Sequence, residues 1–518
     1  MSFAGDALNA YFDDHKREEG HGRRSLRGGA ISIVARAINA VVQVGSVLFL
    51  ARLLSPEDYG LVSMVTALTG FAPVFVDLGT RDAVIQRVRI SQGEVSALFW
   101  ITLAVGGGFA LLIAASGPLI AGFYGEPRLT MIALVSSLTF VASALTSQHS
   151  ALLRRAMMFR ELAKIDIAAN VLSAGGAILM ASYGLGYWAL VLRPVATFSL
   201  TAAGVWFYCR WLPVRPTLTS SVKQMLKFGL HLTGFSMTDF VGRNSDRVAI
   251  GHGLGAKMLG YYQNALFVYD NLLDVLVFPL HGVAVASLSK LQDNPAELRR
   301  SWAKALSSVA FYAMPLFGIL AVTSQDVIVL LLGAKWSNAG LLLSVLALRG
   351  IPHSVERTLG WLHVSAGRTD RWMRWGVFAT CVQLGALFSG LPFGPMGVAW
   401  AYVISMFVLF VPAITYAGQP FGIGAADVIK VVGRQLAGAL SSAGIGFLLR
   451  YTLLADTPRI ARMASLTLAC LVLYFVVVVG LFKVRTPINL ALSLLRDALP
   501  ARFARFGNLG FLRGPGGG

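Results

Sequence analysis

The sequence predicts an all-α protein that crosses a membrane many times, with two six-helix lobes and two further C-terminal helices. Of its 518 residues, 56% are hydrophobic and only 13% are charged, which is about half the charged fraction of a soluble domain. Apolar runs of about 20 residues recur from Ile31 to Phe482, and this is the length that crosses the hydrocarbon core of a bilayer. Basic residues cluster in alternate loops between these runs, as they do in multi-pass membrane proteins.

The apolar runs divide into about 14 predicted transmembrane spans. In chain order they are 30–51, 59–80, 96–117, 129–151, 164–183, 187–208, 226–250, 259–285, 304–324, 338–364, 373–392, 396–417, 428–450 and 461–482. The loops between them are short and leave no room for a soluble catalytic domain. The GxxxxGK[ST] phosphate-binding motif is also absent from the sequence, which argues against a built-in ATPase. We therefore predict a transporter and not an enzyme.

The distribution of basic residues predicts the orientation of the spans. Five basic residues precede span 1, and further clusters follow spans 2, 4, 6, 8, 10 and 14. This pattern places both termini in the cytoplasm, and it explains the net charge of +19 without a nucleic-acid partner. The predicted outer turn 451–460 is the exception, because Arg450, Arg459 and Arg462 lie in or beside it.

An internal repeat relates the two predicted lobes. Residues 53–61, after span 1, have a counterpart in residues 253–261, after span 7, and residues 184–189 are echoed by residues 394–400. An even number of spans separates the copies, so the lobes share one orientation and are related by an axis along the membrane normal. The predicted organisation is a cytoplasmic N-terminal segment (1–29), an N-lobe with spans 1–6 (30–208), a cytoplasmic linker (209–225), a C-lobe with spans 7–12 (226–417), spans 13 and 14 (428–482), and a basic cytoplasmic tail (483–518).

Four predicted spans (1, 7, 8 and 10) carry a line of polar side chains on one helical face. In span 1, for example, Arg36, Asn39 and Gln43 follow one another at i, i+3 and i+7. A charge at the middle of a bilayer costs about 3 kcal/mol, so these faces should meet protein or a hydrated cavity. A single pair such as Asp239 and Arg243 is equally well explained as a structural ion pair within its helix. Four such helices together favour a hydrated pathway.

The polar residues of these spans predict two roles. Arginine offers a planar set of donors that suits phosphate or pyrophosphate, and amides suit a sugar. The predicted substrate-binding residues are Arg36, Asn39, Gln43, Arg243, Arg247, Asn264, Asn271, Arg349 and Arg357. The predicted carriers of a coupling ion are Asp239, Asp246, Asp270, Asp274, His353 and Glu356. Because these residues are mixed in sign, their charge alone does not select an anionic substrate. The three cysteines have no metal-ligand spacing, and we predict no cofactor or metal.

Several segments resemble a known family. They are LARLLSPEDYG at 50–60, FVDLG at 75–79, IQR at 85–87, RNSDR at 243–247, LGYY at 259–262 and SKLQD at 289–293. They resemble the polysaccharide transporter branch, the Wzx-type flippases, of the multidrug/oligosaccharidyl-lipid/polysaccharide (MOP) superfamily.

The resemblance implies a two-lobed bundle with alternating access in the bacterial cytoplasmic membrane. Its substrate would be an oligosaccharide repeat unit linked by pyrophosphate to a polyprenyl carrier, moved from the inner to the outer leaflet for export of exopolysaccharide, capsule or O-antigen. The implied partners are membrane lipids, a proton or sodium ion as the coupling ion, and polysaccharide polymerase or other assembly proteins.

Three other functions are compatible with a polytopic helical protein. A cation-coupled drug or metabolite antiporter of the same superfamily would be expected to have an acidic pocket, and the arginines argue against it. A glycan polymerase or ligase would be expected to carry a sizeable outer loop, and every predicted outer loop is short. A scaffold without transport activity would leave the cost of the charged stripes unexplained.

Overall fold

The computed structural model describes residues 21–70, 76–77, 79–87, 90–217 and 219–489. These residues are almost entirely helical, and no β-strand occurs in this part of the chain. A helix pairs all of its backbone N–H and C=O groups within one segment, which is what a chain surrounded by hydrocarbon requires.

The helices reproduce the predicted spans closely. The first seven are α1 (His21–Leu53), α2 (Pro56–Thr69), α3 (Thr80–Gln86), α4 (Gln92–Tyr124), α5 (Arg128–Arg155), α6 (Phe159–Ser182) and α7 (Trp188–Cys209). The remaining seven are α8 (Ser220–Ser289), α9 (Pro295–Leu332), α10 (Ser337–Ser365), α11 (Thr369–Gly390), α12 (Gly394–Gly418), α13 (Ala425–Tyr451) and α14 (Arg459–Phe475). A π-helical turn, Val476–Leu481, continues α14 to the end of the last predicted span.

Predicted span 2 (59–80) is not one continuous helix. Helix α2 begins at a capping box in which the Ser55 and Asp58 side chains each accept a backbone N–H, with Pro56 at the first helical position. It ends at Thr69, and α3 begins at Thr80. Gly79, which precedes α3, has φ 62°, and glycine adopts this left-handed conformation without the cost that a side chain imposes.

Predicted spans 7 and 8 form one long helical segment, α8, whose backbone leaves the helical conformation at Gly255. Gly255 has φ 81° and ψ 173°, whereas the residues on both sides are helical. The second half of α8 therefore begins at Ala256, and α2 begins at the equivalent position of the repeat, Pro56. The other repeated turns are also similar, since Gly184, Gly186 and Gly394 all have positive φ.

Eight helical stretches in the described part of the chain are long and apolar enough to cross a membrane, or nine if Asn244–Val277 and Leu280–Ser289 of α8, which meet at a bend of 43°, are one span. The count of 14 spans stays a prediction.

The chain divides into two compact units. The first contains the described residues up to Phe267, together with Val327–Leu342 and Gly376–Ala401. The second contains Val268–Asp326, Leu343–Trp375 and the described residues from Tyr402 onward. The division into an N-lobe and a C-lobe stays a prediction.

A buried ion-pair cluster in the second unit explains two of the three exceptional arginines near turn 451–460, Arg450 and Arg462. The carboxylate of Asp326, on α9, is 2% exposed and accepts from both Arg450 (2.7 Å) and Arg462 (2.5 Å). Arg450 also donates to the carbonyl oxygen of Val322 at 2.7 Å. These two arginines join α13 and α14 to α9. Because their charges are paired with Asp326, they carry little information about the orientation of the spans in the membrane.

Candidate transport site

The predicted stripe on α1 lies in the first unit. Arg36 and Gln43 are exposed and Asn39 is half-buried. The Oδ1 atom of Asn39 is buried without a hydrogen-bond partner in the described part of the chain, which leaves one acceptor for a ligand or water. Gln43 is already engaged, because its Oε1 accepts from Arg193 Nη2 of α7 at 2.9 Å. Arg193 is not among the site residues that the sequence predicted.

Arg36 belongs to a group of charges that several helices contribute. Its charge acts on Arg154 of α5, as do those of Arg81, Asp82 and Asp166. Arg81 is held near Asp77 with 3.8 Å between Nε and Oδ1. Guanidinium groups from α1, α3 and α5 therefore lie within electrostatic reach of one another, and the carboxylates of Asp77, Asp82 and Asp166 lie in the same group.

The first half of α8 holds the predicted residues Asp246 and Arg247, also in the first unit. Asp246 is 5% exposed; its Oδ2 accepts from the hydroxyl of Tyr262 at 2.8 Å and its Oδ1 accepts from the backbone N–H of Arg247 at 2.8 Å. Arg247 donates from Nη1 to the side chain of Asn244 at 2.6 Å. The structure thus ties Asp246 to the protein interior. The side chains of Asp239 and Arg243 lie outside the described residues.

Asn264, on the second half of α8, is also enclosed. It is 1% exposed, and its Nδ2 donates to the carbonyl oxygen of Gly260 in its own helix at 3.3 Å. In contrast, Asn271 of the second unit is exposed. The predicted stripe on this helix therefore passes from a buried amide to an accessible one.

In the second unit, α8 and α10 meet at Tyr269. The hydroxyl of Tyr269 and Nδ1 of His353 are 2.8 Å apart, and the two rings are stacked. The Arg349 guanidinium lies over the Tyr269 ring, 5.5 Å from its centroid, and over the Tyr402 ring, 4.2 Å from its centroid. A cation held over aromatic faces is stabilised by their electrons. Nothing in the sequence pattern pointed to Tyr402, because it is distant in the chain.

The other predicted residues of α8 and α10 surround this contact. Arg357 Nη2 is 3.8 Å from Asp274 Oδ1, and the charges of Arg349 and Arg357 both act on Glu356. Six predicted residues thus share one electrostatic neighbourhood, which we call the α8–α10 cluster: Asp270, Asp274, Arg349, His353, Glu356 and Arg357.

A second region of close contact lies where the two copies of the sequence repeat meet, within the first unit. A Cβ atom added at Gly60 would collide with the carbonyl oxygen of Ala256, and one added at Gly260 would collide with that of Pro56. We call these four residues the glycine seam. Only glycine permits so close an approach of two backbones.

Polar contacts beside the seam join the ends of α1 and α9. Arg52, in the last turn of α1, donates from Nε to the carbonyl oxygen of Leu331 at 3.1 Å and from Nη2 to that of Leu330 at 2.7 Å. Lys335, just after α9, donates from Nζ to the carbonyl oxygen of Arg52 at 2.9 Å, and burial lowers the pKa of its ammonium group. Each helix end thus supplies a cation to the carbonyl-rich end of the other.

The indole of Trp336 completes this junction. It is fully buried and donates from Nε1 to the carbonyl oxygen of Ala51 at 2.7 Å. Its ring meets Tyr59 edge-on at 5.3 Å and Tyr261 edge-on at 6.1 Å. One tyrosine comes from each copy of the repeat.

Comparison with solved structures identifies the fold. The fold is similar to that of the lipid II flippase MurJ in an inward closed conformation, with a TM-score of 0.70, 14% identity, and coverage of 88% of this chain and 99% of MurJ. It is also similar to an inward-facing multidrug resistance MATE family transporter of the MOP superfamily, with a TM-score of 0.59, 14% identity, and coverage of 77% and 99%. The chain therefore has the all-helical fold of the MOP membrane transporters, as its sequence predicted.

The family follows from the sequence comparison. The model of the polysaccharide biosynthesis protein family matches residues 49–340, and the chain belongs to this family. The match includes all four residues of the glycine seam and the whole of α8.

Curated relatives agree with this assignment. Teichuronic acid biosynthesis protein TuaB of Bacillus subtilis is 25% identical over 75% of this chain and 81% of its own length. Lipopolysaccharide biosynthesis protein WzxC of Escherichia coli is 24% identical over 76% and 82%, and succinoglycan biosynthesis transport protein ExoT of Rhizobium meliloti is 24% identical over 73% and 76%. The predicted membership in the Wzx-type branch of the MOP superfamily, and the prediction of a transporter and not an enzyme, are confirmed.

Proposed function

We propose that this protein moves polyprenyl-pyrophosphate-linked oligosaccharide repeat units from the inner to the outer leaflet of the bacterial cytoplasmic membrane. It does so by cation-coupled alternating access, with both termini in the cytoplasm. The α8–α10 cluster is the observation that carries the proposal, because it gathers charged and aromatic side chains on helices of a membrane transporter. The names of the relatives TuaB, WzxC and ExoT, all polysaccharide biosynthesis or transport proteins, support the same substrate class.

The chemistry of the substrate explains why such residues are needed. A sugar-pyrophosphate head group cannot cross hydrocarbon unaided, whereas its polyprenyl tail can stay in the bilayer. Arg36 and the guanidinium groups near it supply positive charge for the pyrophosphate. The free acceptor of Asn39 and the exposed amide of Asn271 suit hydroxyl groups of a sugar.

The α8–α10 cluster also narrows the choice of coupling residue. Glu356 has two arginines close by, and Asp274 has one, so their charges are offset by the protein itself. Tyr269 gives His353 a defined hydrogen bond, which fixes the orientation of an imidazole that can gain or lose a proton. His353 is therefore the member of this cluster that we expect to exchange the coupling ion.

Reconstitution in liposomes tests the function directly. The purified protein is combined with a fluorescent polyprenyl-pyrophosphate oligosaccharide, and transfer of the head group between leaflets is followed with and without a proton or sodium gradient. We expect the gradient to accelerate transfer by the wild-type protein. The rate of transfer by the Arg36→Gln variant should be lower by about tenfold or more, the equivalent of about 1.4 kcal/mol. Arg374→Gln is the matched control, because the Arg374 side chain is 72% exposed and pairs with Asp370 on its own helix.

The alternative function has its own outcome in the same vesicles. If the folded protein transfers no head group but accumulates a soluble cationic drug when a gradient is imposed, it is an antiporter. Equal transfer by wild type and Arg36→Gln would instead remove Arg36 from the substrate site.

A further inference from the structure

The contacts of the glycine seam are reciprocal. Gly60 approaches Ala256, and Gly260 approaches Pro56. Gly60 lies four residues after Pro56, and Gly260 lies four residues after Ala256. Each glycine therefore contacts the residue that stands four positions before the other glycine. Contacts of this kind, in which i meets j′ and j meets i′, are the signature of a two-fold axis. The seam therefore lies on the pseudo-two-fold axis that relates the two copies of the repeat.

The seam can separate without unfolding either side. Its central contacts are between backbones and involve no interlocked side chains. Each contributing helix begins at the seam, α2 at Pro56 and the second half of α8 at Ala256. Separation of the seam therefore displaces the first turn of each helix and does not bend a helix in its middle. The caps given by Arg52 and Lys335 are hydrogen bonds to carbonyl groups, which water can replace on opening.

We infer that the glycine seam, with the Arg52 and Trp336 contacts beside it, is the outer gate of this transporter. The closed seam seals the predicted outer face, and release to the outer leaflet requires its two glycine-bearing helix ends to separate. This inference rests on the proposed function, because an outer gate is needed only in a protein whose substrate site opens alternately to the two sides of the membrane. It adds the residues that close the gate and the reason that they are glycines.

A methyl group in the seam should hold the gate open. A Cβ at Gly60 would collide with a backbone atom of Ala256, which cannot rotate away as a side chain would, so the closed state is penalised and the open state is not. We expect Gly60→Ala to shift the ratio of open to closed protein by about tenfold, which is about 1.4 kcal/mol. Gly107→Ala is the control, because Gly107 lies inside α4 and no atom of the described chain is within 4 Å of its added Cβ.

The shift can be measured without any substrate. Ala256, which is 6% exposed, is replaced by cysteine in a chain whose three native cysteines are alanine. Reaction of the Ala256→Cys thiol with a membrane-impermeant reagent is then timed in intact cells and in inverted vesicles. This thiol should react about tenfold faster from the outside when Gly60→Ala is added, and at an unchanged rate with Gly107→Ala. Reaction only from the cytoplasmic side would overturn the inference.

A second variant guards against misfolding. Arg52→Met removes the cap on α9 and, since the Arg52 side chain is exposed, leaves the core intact. It should also speed the labelling of the Ala256→Cys thiol from outside. If neither Gly60→Ala nor Arg52→Met changes the labelling rate while the helix content is normal, the seam is not a gate.

A disulfide beside the seam, between α2 and the part of α8 that precedes Gly255, tests its part in transport. A Cβ at position 251 would lie 3.2 Å from the Cγ atom of Met64 on α2, so the two positions are close neighbours, and the Cβ atoms of a disulfide lie about 3.5–4.5 Å apart. The Met64→Cys/Gly251→Cys protein should lose head-group transfer on oxidation and regain it on reduction. Transfer that continues in the oxidised protein refutes the gate. If the reduced protein and wild type both transfer nothing, the proposed function fails, and the labelling result still decides whether the seam opens.

Discussion

Asp326 offers the sharpest test of how α13 and α14 are attached. Its carboxylate is 2% exposed and accepts from Arg450, which is 8% exposed, and from Arg462, which is 16% exposed. Removing one partner of a buried ion pair costs about 3–5 kcal/mol, because the remaining charge is left uncompensated. Asp326→Asn leaves two cations facing a neutral amide, so we expect the upper part of this range. Arg462→Met should cost less, about 1.5–3 kcal/mol, because Arg450 keeps its carboxylate.

The assay is thermal unfolding in detergent, followed by near-ultraviolet circular dichroism or by loss of monodisperse protein. Asp326→Asn should lower the unfolding temperature more than Arg462→Met does. The triple variant Asp326→Leu/Arg450→Met/Arg462→Met should recover most of the loss, because replacing a whole buried ionic cluster with apolar side chains is often neutral. An Asp326→Asn protein as stable as wild type would refute the reasoning. A triple variant less stable than Asp326→Asn would show that the cluster does more than satisfy its own charges.

Three further substitutions test single contacts. Tyr269→Phe keeps the ring under Arg349 and deletes only the hydroxyl that meets His353. We expect the rate of gradient-driven transfer to fall about tenfold, or about 1.4 kcal/mol, and its pH profile to shift. The rate of transfer without a gradient should change little. An unaltered pH profile would separate His353 from coupling. Ser55→Ala removes the N-cap of α2 and should destabilise the protein by about 1 kcal/mol, measured as a lower unfolding temperature, and a Ser91→Ala variant, which removes the equivalent cap of α4, should have a similar effect.

The sequence was sufficient for the helices because the bilayer imposes their length and polarity locally. A run of about 20 apolar residues has few alternatives to a spanning helix, and predicted boundaries such as 129–151 and 338–364 fall within α5 and α10. The break in span 2 was missed because 59–80 is mostly apolar and long enough to span a bilayer. Gly70, Pro73 and Gly79 lie within it, but glycine and proline are also tolerated within transmembrane helices.

The site was harder to predict because helical spacing shows which face avoids lipid but not what that face contacts. Asp246 and Asn264 belong to predicted stripes, yet their polar groups bond to nearby parts of the protein. The partner of Gln43 is Arg193, and one aromatic partner of Arg349 is Tyr402. Such pairs are distant in sequence, so no local pattern contains them.

The repeat, in contrast, carried long-range information that single stripes do not. If two copies of one segment are related by a two-fold axis and one copy contacts the other at the axis, the contact must occur twice with the roles exchanged. A residue that must be small in one copy must then be small in the other, and Gly60 and Gly260 are such a pair. Substituting either glycine should therefore open the gate to a similar degree: Gly260→Ala should accelerate the labelling of the Ala256→Cys thiol about as much as Gly60→Ala does. A large effect of one substitution and none of the other would mean that the seam is held on one side only, and that the symmetry of the sequence does not extend to the energetics of the gate.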